Sequence, residues 1–227
     1  MAGFLRATWL IARKDLRIEL RTKEVVITVG LFALLVVVLS SLAFYQNPVA
    51  AMKIAPGVMW ITIAFAGVLA VGRSWERESA NDVLRGLLLA PMPRGALFMG
   101  KLLANLAFVF AIEALVVPLT ALFFHVDLIP VGGMLLAIVS LGTLGFVSAG
   151  TLFGALAARS GQARDLVLSL VVFPLIAPAL LGAVIATREL FQGASPAELL
   201  GWVKALLAFD LIFLAAGGVL FDPLLSD

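Results

Sequence analysis

Six stretches of the chain are almost free of charged residues and long enough to cross a bilayer as helices. A transmembrane helix needs about 20 apolar residues to cross roughly 30 Å of hydrocarbon, and its backbone groups must be hydrogen-bonded internally. The predicted spans are residues 25–45, 54–72, 102–124, 134–157, 166–187 and 199–221. We therefore predict an all-α membrane protein in which residues 25–227 form a bundle of six transmembrane helices.

The composition favours a bilayer rather than water as the solvent of this bundle. Hydrophobic residues make up 63% of the chain and charged residues 13%, whereas soluble domains are about half apolar and about a quarter charged. The absence of cysteine excludes disulfides, thiolate zinc sites and thiol catalysis. His125 is the single histidine, which excludes a multi-histidine metal site. We expect no metal, no firmly bound cofactor and no nucleic-acid partner.

The basic residues are distributed unevenly between the predicted loops. All 16 of them except Lys53, Arg188 and Lys204 lie in the N-terminal segment, in the loop after the second span or in the loop after the fourth span. Cytoplasmic loops of membrane proteins carry an excess of Lys and Arg. We therefore predict that the N- and C-termini and these two loops are cytoplasmic.

The segment before the first span, residues 1–24, has the pattern of an amphipathic helix. At 100° per residue an apolar face lies beside an arc of bases. The apolar face comprises Leu5, Trp9, Ala12, Leu16 and Leu20, and the basic arc comprises Arg6, Arg13, Lys14, Arg17 and Arg21. Such a helix lies flat at an anionic membrane surface. The alternative is a soluble helical extension.

The loop between the second and third spans also contains a predicted helix. Ser79 with Asp82 three residues later resembles a capping box. Leu84, Leu87 and Leu88 follow at helical spacing, and prolines after them end the helix. An apolar face in a solvated loop indicates a protein partner unless it lies against lipid.

The run from Gly95 to Leu102 resembles a phosphate-binding Walker A loop. The match fails because Leu102 follows Lys101 where Ser or Thr must contact magnesium, and because the run continues directly into a predicted span. We therefore predict that this chain does not hydrolyse ATP.

Two carboxylic acids interrupt the predicted spans. Glu113 lies near the middle of the third span and Asp210 within the sixth. An ionisable residue at membrane depth indicates a substrate path or a proton site, or else a hydrogen bond that holds helices together. His125, at the outer end of the third span, is a candidate haem ligand or an interfacial polar group. Both interpretations stay open for these three residues.

Small residues and prolines predict close packing and bends in the last spans. Gly150 and Gly154 form a small-xxx-small pair, which serves packing within one chain or between two copies. Pro174 and Pro178, one turn apart, predict either a static bend or a discontinuous helix.

The run Lys53-Ile54-Ala55-Pro56-Gly57-Val58-Met59-Trp60 resembles the haem exporter protein B family, also called the cytochrome c maturation protein B family. The loop from Trp75-Glu76-Arg77-Glu78 to Pro91-Met92-Pro93, followed by Gly100-Lys101-Leu102, is similar to the cytoplasmic loop of that family and of exporter-type ABC permeases. Chain length, six spans and the amphipathic N-terminus agree. The resemblance therefore covers essentially the whole chain.

The resemblance implies a non-catalytic permease subunit in the bacterial inner membrane. It implies a separate ATP-binding cassette ATPase, a second copy of the permease and further cytochrome c maturation subunits as partners. Haem is then the cargo, or ATP-driven motion releases a haem-loaded chaperone. The loop alone also fits a permease for a lipid, a polysaccharide or a drug, and a non-transporting scaffold is the third hypothesis.

The resemblance also assigns a role to the loop helix, as a coupling helix seated on the ATPase. The implied coupling residues are Glu76, Glu78, Asp82, Leu84, Arg85, Leu87 and Leu88. Family loops carry a Gly-x-Leu-Glu stretch, which aligns with Asp82-Val83-Leu84-Arg85. Because the acidic position is Arg85 in this chain, its charge partner on the ATPase is expected to differ.

Overall fold

A computed structural model describes residues 2–79, 92–159 and 173–224, together with Gly86. These parts of the chain form seven helices. They are α1 (Ala2–Thr22), α2 (Glu24–Ala43), α3 (Pro48–Ser79), α4 (Arg94–Phe124), α5 (Gly132–Arg159), α6 (Phe173–Phe191) and α7 (Pro196–Leu224). The six helices α2 to α7 are long and apolar enough to span a membrane. The prediction of an all-α, six-span membrane protein is confirmed.

Most of the helices extend beyond the predicted spans. Helix α3 begins at Pro48 and continues to Ser79, and α4 begins at Arg94 rather than at residue 102. Hydropathy marks the part of a helix that crosses hydrocarbon, whereas hydrogen bonding continues into polar turns on either side. The fifth span was predicted from residue 166, but the described part of α6 begins at Phe173.

Helices α3 and α5 form the centre of the bundle, and glycines bring them close together. A Cβ atom added to Gly67 would lie 2.2 Å from the Phe146 ring, and one added to Gly142 would lie 2.5 Å from Trp60. Small residues let helix backbones approach closely in membranes, where packing rather than water drives association. The rings of Phe146 and Trp60 therefore pack in the space that a side chain at Gly67 or Gly142 would occupy.

Hydrogen bonds between buried side chains fix the register of neighbouring helices. Trp60 Nε1 donates to Thr187 Oγ1 at 2.9 Å, which joins α3 to α6. Asn105 Nδ2 donates to Thr151 Oγ1 at 3.1 Å, which joins α4 to α5. A polar side chain without a partner is costly at membrane depth, so these pairs favour one arrangement of the helices.

Helix α1 packs across one end of the bundle, chiefly against α4. We call this the basic end; it holds α1, the last turn of α3 and the first turn of α4. The opposite, or far, end holds the first turn of α3 and the last turns of α4 and α6. Of the predicted apolar face of α1, Leu5, Trp9 and Leu20 are exposed whereas Ala12 is buried. The interfacial position of α1, and a domain boundary after residue 24, stay predictions.

Candidate functional site

Four charged side chains from three helices meet at the basic end. Lys101 Nζ of α4 lies 2.8 Å from Asp15 Oδ2 of α1 and 2.6 Å from Glu78 Oε1 of α3. Lys14 Nζ bonds the same Glu78 oxygen and lies 3.2 Å from Asp15 Oδ1. We call Lys14, Asp15, Glu78 and Lys101 the ionic cluster.

The surroundings of Lys101 explain how a buried ammonium group is tolerated. Lys101 is 0% exposed and Glu78 is 1% exposed. Besides its two carboxylates, Lys101 Nζ donates to the backbone oxygen of Ser74 at 3.1 Å and lies 5.4 Å from the centre of the Trp75 ring. Two cations face two carboxylates, so the cluster is balanced in charge. Charge balance is a condition under which buried ions are retained. Within the described residues Glu78 Oε2 accepts no hydrogen bond.

The local pattern of α1 explains why its carboxylates reach the bundle. Ile11, Asp15 and Glu19 recur one helical turn apart and are all buried. At Ile11 the backbones of α1 and α4 are in close contact, since a Cβ atom added to Gly100 would lie 2.7 Å from Ile11 Cβ. The glycine therefore admits α1 close enough for Asp15 to bond Lys101.

A second ion pair joins α1 to the neighbouring helices. Arg77 of α3 donates to Glu19 at 2.9 Å, and the other oxygen of Glu19 accepts the backbone N–H of Val26 at 3.0 Å. Glu19 thus holds the last turn of α3 and the first turn of α2 to the end of α1. With the ionic cluster, it connects four helices at one end of the bundle.

Lys14 remains charged in this setting. Burial by itself would lower the pKa of Lys14, but the carboxylates of Asp15 and Glu78 outweigh burial and raise this pKa above its ordinary value. A cation beside two acids is stabilised in its charged form. Lys14 is therefore charged at neutral pH.

The coupling residues implied by the resemblance fall in different places. Glu78 belongs to the ionic cluster, whereas Glu76 is exposed beside Arg73 at 3.9 Å. Asp82, Leu84, Arg85, Leu87 and Leu88 lie outside the described residues. The helix predicted there, and its seating on a partner, stay predictions. The described ends of α3 and α4, which flank it, are joined by Glu78 and Lys101.

Glu113 and Asp210 are both buried, but the structure does not bring them together. Glu113 accepts a hydrogen bond from Thr143 of α5. Asp210 of α7 lies against Gly145 of α5, where an added Cβ atom would be 2.6 Å from its Oδ1 atom. Residues two apart on a helix point in nearly opposite directions, so the two acids flank α5 on different sides. Within the described residues neither oxygen of Asp210 has a hydrogen-bond partner.

Glu113 also borders a groove of about 540 Å³ between α4 and α5. The groove is lined mainly by apolar side chains, with Ser140 as a second polar group. His125 is exposed at the far end of α4, where it ends the helix in a left-handed conformation with φ 58°. Among the described residues it does not share a site with either acid.

Gly150 and Gly154 both face α3. A Cβ atom on Gly154 would lie 2.6 Å from Trp75 Cδ1, and one on Gly150 would lie 3.6 Å from Val71. The geometry is that of packing within one chain.

Sequence reasoning missed most of the ionic cluster. In the sequence Lys101 belongs to the failed nucleotide loop and to the Gly100-Lys101-Leu102 run of the family resemblance, and neither predicts an ion pair. Asp15 lies between the predicted apolar and basic faces of α1. A signal was nevertheless available, because Asp15 and Glu19 lie one helical turn apart among the basic residues between Arg6 and Lys23.

Comparison with known proteins gives the family. The family model described as CcmB protein matches residues 6–219. The chain belongs to the CcmB family. The match includes the ionic cluster, the loop between α3 and α4, and the six membrane-spanning helices except the last residues of α7.

Individual relatives agree with this membership. The Heme exporter protein B of Paracoccus denitrificans is 30% identical over 154 residues, which are 68% of this chain and 70% of the relative. That of Bradyrhizobium diazoefficiens is 24% identical over 207 residues, or 91% of each chain. That of Escherichia coli K12 is 29% identical over 97 residues, which cover 43% of this chain. The match spans 44% of the length of the Escherichia coli relative.

Proposed function

We propose that this chain is the permease subunit of an ABC transporter complex for cytochrome c maturation. In this proposal a separate ATPase subunit hydrolyses ATP, and the permease couples hydrolysis to haem export or to release of a haem-loaded chaperone. Membership in the CcmB family and the name of the relatives, Heme exporter protein B, support it. The chain itself carries out no catalysis.

The observation that carries the coupling proposal is the position of the ionic cluster. Glu78 stands one residue before the end of α3, and Lys101 stands two turns into α4. The loop predicted to seat on the ATPase therefore leaves and enters helices that are bonded to each other at 2.6 Å. A displacement of the loop would move α3, α4 and α1 as one unit, because separating them would expose buried charges.

The proposed assembly has the loop on the cytoplasmic side of a bacterial inner membrane, with both termini on that side. Its partners are the ATPase, a second permease copy and other cytochrome c maturation subunits. Haem is cargo rather than a resident cofactor. Glu113, Asp210 and His125 then contribute to the substrate path, or they hold helices together.

Co-purification with the cognate ATPase tests the coupling proposal. The double variant Leu87→Asp, Leu88→Asp should lose the ATPase, because it places two charges on the predicted apolar face. Ile129→Asp is a matched control, since Ile129 is 93% exposed at the far end. Equal retention of the ATPase by the double variant and wild type would reject the coupling helix.

Deletion of the gene tests the cargo. Loss of c-type cytochromes, restored by the wild-type gene, is the expected result. Normal c-type cytochromes in the deletion strain would reject cytochrome c maturation and favour a permease for a lipid, a polysaccharide or a drug.

A further inference from the structure

A second polar site lies at the far end, away from the ionic cluster. The first turns of α3 and the last turn of α6 enclose a pocket of about 450 Å³. Its lining includes Lys53 and Arg188, with Gln192 beside them. Val49, Met52 and Phe191 supply apolar walls.

The fold, rather than the sequence, brings the two bases together. The buried hydrogen bond from Trp60 to Thr187 joins α3 and α6. Thr187 is the residue before Arg188, and Trp60 lies two turns after Lys53 on the same helix. Both bases are therefore held on helices whose register is fixed. The backbones that carry the two bases are therefore fixed relative to each other, and both side chains are exposed.

Neither base is neutralised within the described residues. The side chains of Lys53 and Arg188 have no ion pair or hydrogen bond there, and the described lining of the pocket contains no acid. Two described acids of the far end accept hydrogen bonds from other groups. Glu189 accepts from Trp202 Nε1 at 3.0 Å, and Glu198 accepts from the Ser195 backbone N–H at 2.6 Å. Both bases are exposed, whereas at the basic end the buried Lys101 faces two carboxylates.

From this arrangement we infer that the pocket binds the acidic end of an anionic amphiphile. Arg and Lys bind carboxylate and phosphate oxygens through charge-assisted hydrogen bonds, and the amide of Gln192 can donate one more. The apolar walls suit a hydrophobic body attached to that end. Two sources share this chemistry: the propionates of a tetrapyrrole and the phosphate of an anionic lipid. The tetrapyrrole source rests on the proposed function, whereas the lipid source is independent of it.

Binding of protoporphyrin IX to the purified chain in phosphatidylcholine nanodiscs tests the carboxylate source. The double variant Lys53→Gln, Arg188→Gln should weaken binding by at least about 10-fold, since each hydrogen bond to a charged group contributes about that factor. Lys204→Gln is the matched control, because Lys204 is an exposed base of the same end outside the pocket. Protoporphyrin dimethyl ester should bind equally to all variants.

Native mass spectrometry after addition of phosphatidylglycerol to the nanodiscs tests the lipid source. Loss of retained phosphatidylglycerol in the double variant, with unchanged porphyrin binding, would assign the pocket to a lipid phosphate. The charge-conserving double variant Lys53→Arg, Arg188→Lys should behave as wild type in both assays. If neither ligand distinguishes the double variant from Lys204→Gln, the inference is overturned. Either result leaves the gene-deletion test of the proposed function unaffected.

Discussion

Lys101 Nζ lies 2.6 Å from Glu78 Oε1. This ion pair joins α4 to α3, the two helices on either side of the loop that is predicted from the sequence to be cytoplasmic. Both side chains are essentially unexposed. The same ammonium group bonds Asp15 of α1, so one lysine connects three helices. A motor acting on the loop would therefore act on the whole basic end.

Replacing Lys101 by Met should destabilise the protein by about 3–5 kcal/mol, because the buried carboxylates of Asp15 and Glu78 lose their main cation. Unfolding in detergent, followed by temperature or by denaturant, measures the effect. Lys204→Met, at an exposed position, is the control and should change stability little. Adding Glu78→Gln to Lys101→Met should restore part of the loss, and full additivity of the two changes would contradict a direct pair.

Replacing Glu19 by Ala should loosen α1 from the bundle, because Arg77 and the Val26 N–H lose a shared acceptor. Limited proteolysis between α1 and α2 should become faster, and stability should fall by about 1–3 kcal/mol. The exposed pair of Arg73 and Glu76 provides the comparison. Glu76→Ala should cost at most about 1 kcal/mol, and an equal response of the two variants would refute the anchoring role of Glu19.

Replacing Gly67 by Ala should destabilise the bundle by about 1–3 kcal/mol, since the new methyl group would lie 2.2 Å from the Phe146 ring. Gly57→Ala in the same helix is the control, because a Cβ atom there meets nothing within 4 Å. Thermal unfolding measures both. Phe146→Leu should partly rescue Gly67→Ala. A Gly67→Ala variant as stable as Gly57→Ala would show that α3 and α5 are less closely packed than described.

Replacing Asp210 by Asn should leave stability unchanged or raise it, because an acid without a described hydrogen-bond partner is costly at membrane depth when charged. Thermal unfolding together with the cellular content of c-type cytochromes separates a role of Asp210 in transport from a purely structural role. A stable variant with normal cytochromes favours a purely structural acid. A stable variant without them assigns Asp210 to transport, and a marked loss of stability would contradict the absence of a partner.

Replacing Glu113 by Gln should preserve the contact with Thr143, since the amide oxygen can still accept that hydrogen bond. Stability should therefore change by less than about 1 kcal/mol. Glu113→Leu, which removes the acceptor, should cost more and serves as the contrast. If Gln and Leu are equally destabilising, the hydrogen bond does not hold α4 to α5.

The six membrane-spanning helices were predictable because hydropathy is a local property. Residues 25–45 and 134–157 contain no charged residue, and a helix of that length and composition is stable in hydrocarbon whatever its neighbours are. The sequence was less informative about helix ends. Helix α3 continues to Ser79 because the charge of Glu78 in its last turn is paired with Lys101.

The amino-acid sequence by itself determined the class of protein, the number of spans and the family resemblance. Tertiary structure alone decided which charges meet: Asp15 with Lys101 at the basic end, and Lys53 with Arg188 at the far end. These residues are distant in sequence, so their encounter depends on helix packing and on glycines such as Gly100 that permit it. Periodicity states which face of a helix is polar, but only packing selects the helix that this face meets.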